Sequence, residues 1–140
     1  MRWLALILMF LPGLALAQQD LMATLPGSYG SASDPAGSCA TNPHRLSFLT
    51  RPPHLMLTWP APWTDAGGNT RFSRRYDLLA VGSDTLTLRW EADPERLGNG
   101  RRPIWILRRT TNPEGYCWGR EDWPAVRCED QQLRCDTPTS

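Results

Sequence analysis

Apolar residues in this chain alternate with polar ones in short runs and never settle into a helical period. Leu86, Leu88 and Trp90 alternate with Thr85, Thr87, Arg89 and Glu91, and Leu55, Leu57 and Trp59 alternate with His54, Met56 and Thr58. A period of two puts one set of side chains on each face of an extended strand, so these are half-buried strands. Further strands are expected over 45–50, 72–81 and 104–107, one starting at 116, and a last short one over 124–129. Thr41-Asn42-Pro43, Pro52-Pro53, Gly82-Ser83-Asp84 and the stretch 111–115 punctuate them as turns, and 60–69, rich in proline and glycine, reads as a long loop without regular structure. Roughly seven or eight short strands joined this way predict an all-β antiparallel meander. A chain of this size removes its exposed strand edges most simply by closing into a barrel; a two-sheet sandwich is the alternative.

The N-terminus reads as an export signal. Arg2 supplies a short positive segment, Trp3 to Leu16 is apolar apart from Gly13 and Pro12, and Ala15-Leu16-Ala17 is an A-x-A cleavage site. The apolar run is shorter than the ~20 residues of a membrane span, and no cysteine stands at the cleavage point for a lipid anchor. The expected product is therefore a single domain over 18–140, periplasmic or secreted, with no stable membrane anchor once residues 1–17 are removed. All fifteen basic residues are arginine, and with Arg2 gone arginines and acids balance at fourteen each. Nucleic-acid binding calls for a basic excess, so it is not expected.

Cys39, Cys117, Cys128 and Cys135 form an even set in an exported small domain, which predicts two disulfides rather than a metal site. Three connectivities are open. Cys39–Cys117 with Cys128–Cys135 is favoured, because it clamps the start of the barrel to its end. The first bond would close a loop of about 78 residues and contribute about 4.5 kcal/mol, the second about eight residues and about 2.5 kcal/mol.

Gly27-Ser28-Tyr29, following a short N-terminal turn at 18–25 and leading into the meander, resembles the Gly-x-Trp signature of lipocalins and the wider calycin group, with tyrosine in place of tryptophan. The resemblance implies a small barrel with an arginine near its end packed on that aromatic, for which Arg120 and Arg127 are the candidates. Cys39-Ala40-Thr41-Asn42-Pro43 together with Tyr116-Cys117-Trp118 is similar to a pattern in small exported bacterial proteins, which implies the compartment and disulfides. Fold alone does not imply function.

No nucleophile stands beside a base in the sequence, and no cofactor, metal or catalytic residue is expected. His44 follows a turn and His54 falls on the outward face of a strand, so both are expected at the surface. Glu121-Asp122 beside Arg120 reads as an ion-paired corner. Trp59 and Trp90 are expected in the core, whereas Trp105, between Ile104 and Ile106, is expected to point outward as a contact surface. Trp63 is a candidate lid over the barrel mouth, and Arg74, on the face of Phe72 and Tyr76, a candidate anion anchor or end-of-barrel arginine. The dense stretch Tyr116 to Trp123 is expected to form a seam between the ends of the fold. These features point to a non-catalytic binding module that holds a small apolar ligand or inhibits an extracytoplasmic hydrolase, as other small disulfide-bonded bacterial barrels do to lysozymes and proteases. An envelope-assembly protein acting through an outer-face contact is the alternative.

Overall fold

In the computed structural model, which describes residues 20–64 and 68–135, a helical turn leads into eight strands. These are β1 (Gly27–Ser31), β2 (His44–Thr50), β3 (Pro53–Thr64), β4 (Thr70–Val81), β5 (Thr85–Trp90), β6 (Trp105–Thr111), β7 (Glu114–Arg120) and β8 (Glu129–Arg134). Each strand pairs antiparallel with its neighbour in sequence, and β8 returns to β1, so the sheet is a closed meander barrel. The barrel, rather than the sandwich, is the architecture. The expected signal segment, 1–17, lies outside the described residues.

The two ends of the barrel differ. Short connections at 51–52, 82–84 and 112–113 lie at one end; the long ones, 32–43, 91–104 and 121–128, belong to the other. The short-turn end is closed by the segment before β1, whose Leu21 and Leu25 are fully buried beneath Leu46, Leu55, Leu86, Leu88 and Leu107. Truncating any one of these leucines to alanine would cost about 2–5 kcal/mol.

Arg134 fastens this plug. Its Nη1 donates to the Thr24 carbonyl (2.8 Å) and the Tyr29 hydroxyl (2.9 Å), and its Nη2 to the Pro26 carbonyl (2.9 Å). The guanidinium also lies 5.5 Å from the Tyr29 ring centroid. The aromatic-packing arginine expected at Arg120 or Arg127 is therefore Arg134. Those two candidates sit at the opposite end, because the last strand is Glu129–Arg134 and not 124–129.

The disulfides join Cys39 to Cys135 and Cys117 to Cys128, correcting the favoured pairing. The physical reason is that the 32–43 connection folds back along the outer wall over the β1–β8 seam. A Cβ on Gly30 would stand 2.2 Å from the Cys39 nitrogen, so only glycine admits this approach. Cys39 thus meets the end of β8, while Cys117 reaches the loop that follows its own strand.

The first half of the expected loop at 60–69, residues 60–64, is strand. β3 and β4 run on past the rim, with Trp63 opposite Arg71 and Thr64 opposite Thr70. Residues 59–62 bulge between these pairs and those at Thr58, opposing only Phe72 on β4. Pro60 and Pro62 are tolerated there because the bulge needs no ladder donor from them. The Asn42 side chain pairs with the Ala61 backbone instead, accepting from its N–H (3.2 Å) and donating to its carbonyl (3.1 Å).

Candidate functional site

The closed half of the barrel is filled by leucine and the open half is not. A cavity of about 460 Å³ opens between β2, β3, β4, β7 and β8 and the 32–43 loop. A smaller recess of about 280 Å³, bounded by Trp90, Trp105 and Trp123, shares Arg74, Trp118 and Asp130 with it. A larger trough of about 670 Å³ lies on the outer wall beneath the 91–104 loop. Its sides carry charged groups, among them the Arg89–Asp77 pair at 3.5 Å, and it belongs to no hollow of the barrel.

One side of the main cavity is aromatic; the rest of its lining is largely polar, with Asp34, Asn42, Thr64 and Gln132 among it. Trp59 lies 5.2 Å from both the His44 and Trp63 rings, and Trp118 is stacked 5.2 Å from Tyr76. Arg74 projects into this wall from β4, its guanidinium carbon 4.2 Å from the Trp90 centroid and 4.7 Å from that of Trp63. Cation–ring contacts at such distances are favourable, more so out of water. Trp63 thus lines the cavity and packs on Arg74, and Arg74 is on the inner face, as its parity with Tyr76 requires.

His44 and Tyr116 form the floor. Both are buried, and His44 Nε2 is in hydrogen-bond contact with the Tyr116 hydroxyl. Burial, assisted by the charge of Arg74, lowers the His44 pKa to about 4, so the imidazole is neutral at physiological pH. Burial also pushes the Tyr116 phenol well above its ordinary value. The expectation that both histidines lie at the surface is corrected. His44 shares parity with buried Leu46, and His54 is buried with Nδ1 2.6 Å from the Pro52 carbonyl oxygen.

Asp130 completes the lining from β8. Its backbone is left-handed (φ 53°), a conformation aspartate adopts more readily than most residues. Gln132 Nε2 donates to its Oδ1 (2.9 Å) and its carbonyl (3.1 Å). Burial raises the Asp130 pKa, with the Arg74 charge acting against that shift.

Trp105 is turned inward, correcting the outward expectation. Its Nε1 donates to Asp93 Oδ2 (2.8 Å), and its ring packs on Trp118 and Trp123 at 6.2 and 5.9 Å. Leu107, fully buried two residues on, shares its side of β6, whereas Ile104 precedes the strand. The expected corner at 120–122 is present with a different membership. Arg120, only 8% exposed, is bidentate to Asp122 and also donates to both oxygens of Glu95. The recess is thereby fixed on one side by two loops tied through one guanidinium.

Of the residues singled out in the sequence, Trp63, Arg74 and Trp105 all face the open end, together with Trp59, Trp90 and Trp123. His44, Tyr116 and Asp130 were not foreseen there; parity with Leu46 was the available signal for His44. Among the described residues no group of three His, Cys, Asp or Glu side chains is arranged to hold a metal ion. Compared with protein-family models, with curated proteins and with solved structures, the chain gives no match.

Proposed function

We propose that this is an exported binding module that holds one small, largely apolar ligand in the open end of its barrel and carries out no chemistry on it. The observation behind this reading is the 460 Å³ hollow lined by Trp59, Trp63 and Trp118 above a filled core. Ligand sites are typically concave, about 300–1,000 Å³ in volume and mostly apolar, with a few placed polar groups. The two disulfides are compatible with an oxidising extracytoplasmic compartment. Similarity to lipocalin-like barrels, carried by Gly27, Tyr29 and the arginine that packs on Tyr29, favours the same reading. A catalytic role finds less support. His44 meets a hydroxyl, that of Tyr116, but among the described residues no carboxylate bonds to His44 to orient it.

The direct test is titration of the oxidised protein with the apolar probe N-phenyl-1-naphthylamine, alongside native mass spectrometry of protein isolated from the periplasm. Saturable one-to-one binding is expected. Failure to bind the probe, together with no co-isolated small molecule, would remove the reading.

A second reading, inhibition of an extracytoplasmic hydrolase, has one observation in its favour. The β3–β4 hairpin projects past the rim and carries Phe72, which is 59% exposed. An outer-face contact of the envelope-assembly kind would have to do without Trp105, whose ring is inside.

A further inference from the structure

Arg74 is held by its faces and by one corner. Trp63 and Trp90, from the strands on either side of β4, pack against the guanidinium, and Nη1 donates to the Tyr76 hydroxyl (3.1 Å). On the opposite edge, neither Nε nor Nη2 has a hydrogen-bond partner among the described residues. Nε is buried without an acceptor, and among the described residues Arg74 makes no ion pair. The indole N–H of Trp63, whose ring packs on the same guanidinium, is also buried without an acceptor. Donors left this way are costly to a folded protein. Here two of them belong to residues lining one cavity.

The Nε–Nη2 edge of a guanidinium presents two parallel N–H groups, the geometry that matches the two oxygens of a carboxylate. The aromatic packing keeps that edge in one orientation, so little side-chain freedom remains to be lost on binding. The surrounding walls, Trp59 and Trp118, suit a flat apolar body.

We propose that the ligand of the open end is an aromatic carboxylate, its carboxylate received by the free edge of Arg74 and the Trp63 indole N–H, its rings lying against Trp59 and Trp118. This rests on the reading of the open end as a ligand site and adds the chemical class of the ligand. Asp130, in the same cavity, opposes an anion. Its replacement by asparagine should therefore tighten binding of an acid and leave a neutral analogue unaffected.

The test compares 2-naphthoate with neutral 2-naphthamide by isothermal titration calorimetry on the oxidised protein. Wild type should bind the acid about tenfold more tightly or better, since hydrogen bonds to charged groups exceed neutral ones by that order. Arg74→Met should abolish the preference while retaining the amide, and Asp130→Asn should enlarge it. Equal affinities in wild type, or an Arg74→Met change that weakens both compounds alike, would overturn the carboxylate assignment and leave the site itself standing. If neither compound binds while N-phenyl-1-naphthylamine does, the carboxylate assignment falls and the site stands; if all three fail and no small molecule is co-isolated, the open-end reading falls with it. Should Arg74→Met fail to fold, Trp63→Phe keeps the ring and removes the N–H. It should then lower naphthoate affinity several-fold and leave naphthamide unchanged, and an equal effect on both would count against the proposal.

Discussion

Arg134 lies across Tyr29 at the closed end, bonding the same tyrosine hydroxyl that itself donates to the Leu25 carbonyl at 2.6 Å. One guanidinium thereby satisfies carbonyls at the end of the N-terminal turn and joins the last strand to the first. Its partners are partly buried, so their loss is not made good by water. Arg134→Ala should lower unfolding stability by about 2–3 kcal/mol in urea titrations, the order expected for charged hydrogen bonds. Arg134→Lys should recover only part, because a single ammonium cannot reproduce the planar fork. A wild-type midpoint in Arg134→Ala would show that the plug is held by Leu21 and Leu25 alone.

The two disulfides should differ in weight. Cys39–Cys135 spans a sequence separation of 96, and Cys117–Cys128 one of 11. On chain entropy the longer bond contributes about 4.7 kcal/mol and the shorter about 2.8 kcal/mol. Double serine variants, compared by denaturant unfolding, should therefore rank with Cys39→Ser/Cys135→Ser the less stable. Peptide mapping of the non-reduced protein checks the pairing independently.

Stability should fall on mild acidification, through His44. Its folded pKa, about 4, lies below the ordinary value of 6.5, so the unfolded chain takes up a proton that the folded one refuses. The contribution is fully present above pH 6.5, is lost as pH falls from there to about 4, and is constant below. The total is on the order of 3 kcal/mol. In His44→Gln this part of the pH dependence should disappear; an unchanged slope between pH 6.5 and 4 would place its origin elsewhere.

Arg120 should govern order in the open-end loops. Its bonds to Glu95 and Asp122 tie the 91–104 and 121–128 connections together. Hydrogen exchange in Arg120→Leu should accelerate in both loops while the β1–β3 amides keep their protection. Acceleration confined to one loop would mean that each is held by its own contacts, such as the Trp105–Asp93 bond.

Much of the barrel was legible because its strands carry a strict alternation: Leu86, Leu88 and Trp90 are the inner face of β5 as their spacing says. β8 was missed because Glu129–Arg134 is almost wholly polar; its inner positions are Asp130, Gln132 and Arg134, whose roles are those of a site and a plug. The rim was missed for a different reason. Pro60 and Pro62 read as a loop, and the pairing of the Asn42 side chain with the Ala61 backbone explains how strand continues beyond them. The disulfides depended on a loop folding back over Gly30, which no spacing of cysteines reports. Trp105 was misassigned by its isoleucine neighbours, when Leu107 on its own face held the answer.

All six tryptophans among the described residues stand toward the open end, whereas the closed end holds Tyr29 and leucines. The intrinsic emission of the protein is accordingly a local signal rather than an average over the molecule. Excited at the indole band, the protein reports on its rim. Fraying of the N-terminal plug would pass unseen there and emerge only in tyrosine absorption or in the far ultraviolet. Two optical channels thus follow the two ends of one small domain without any label being added.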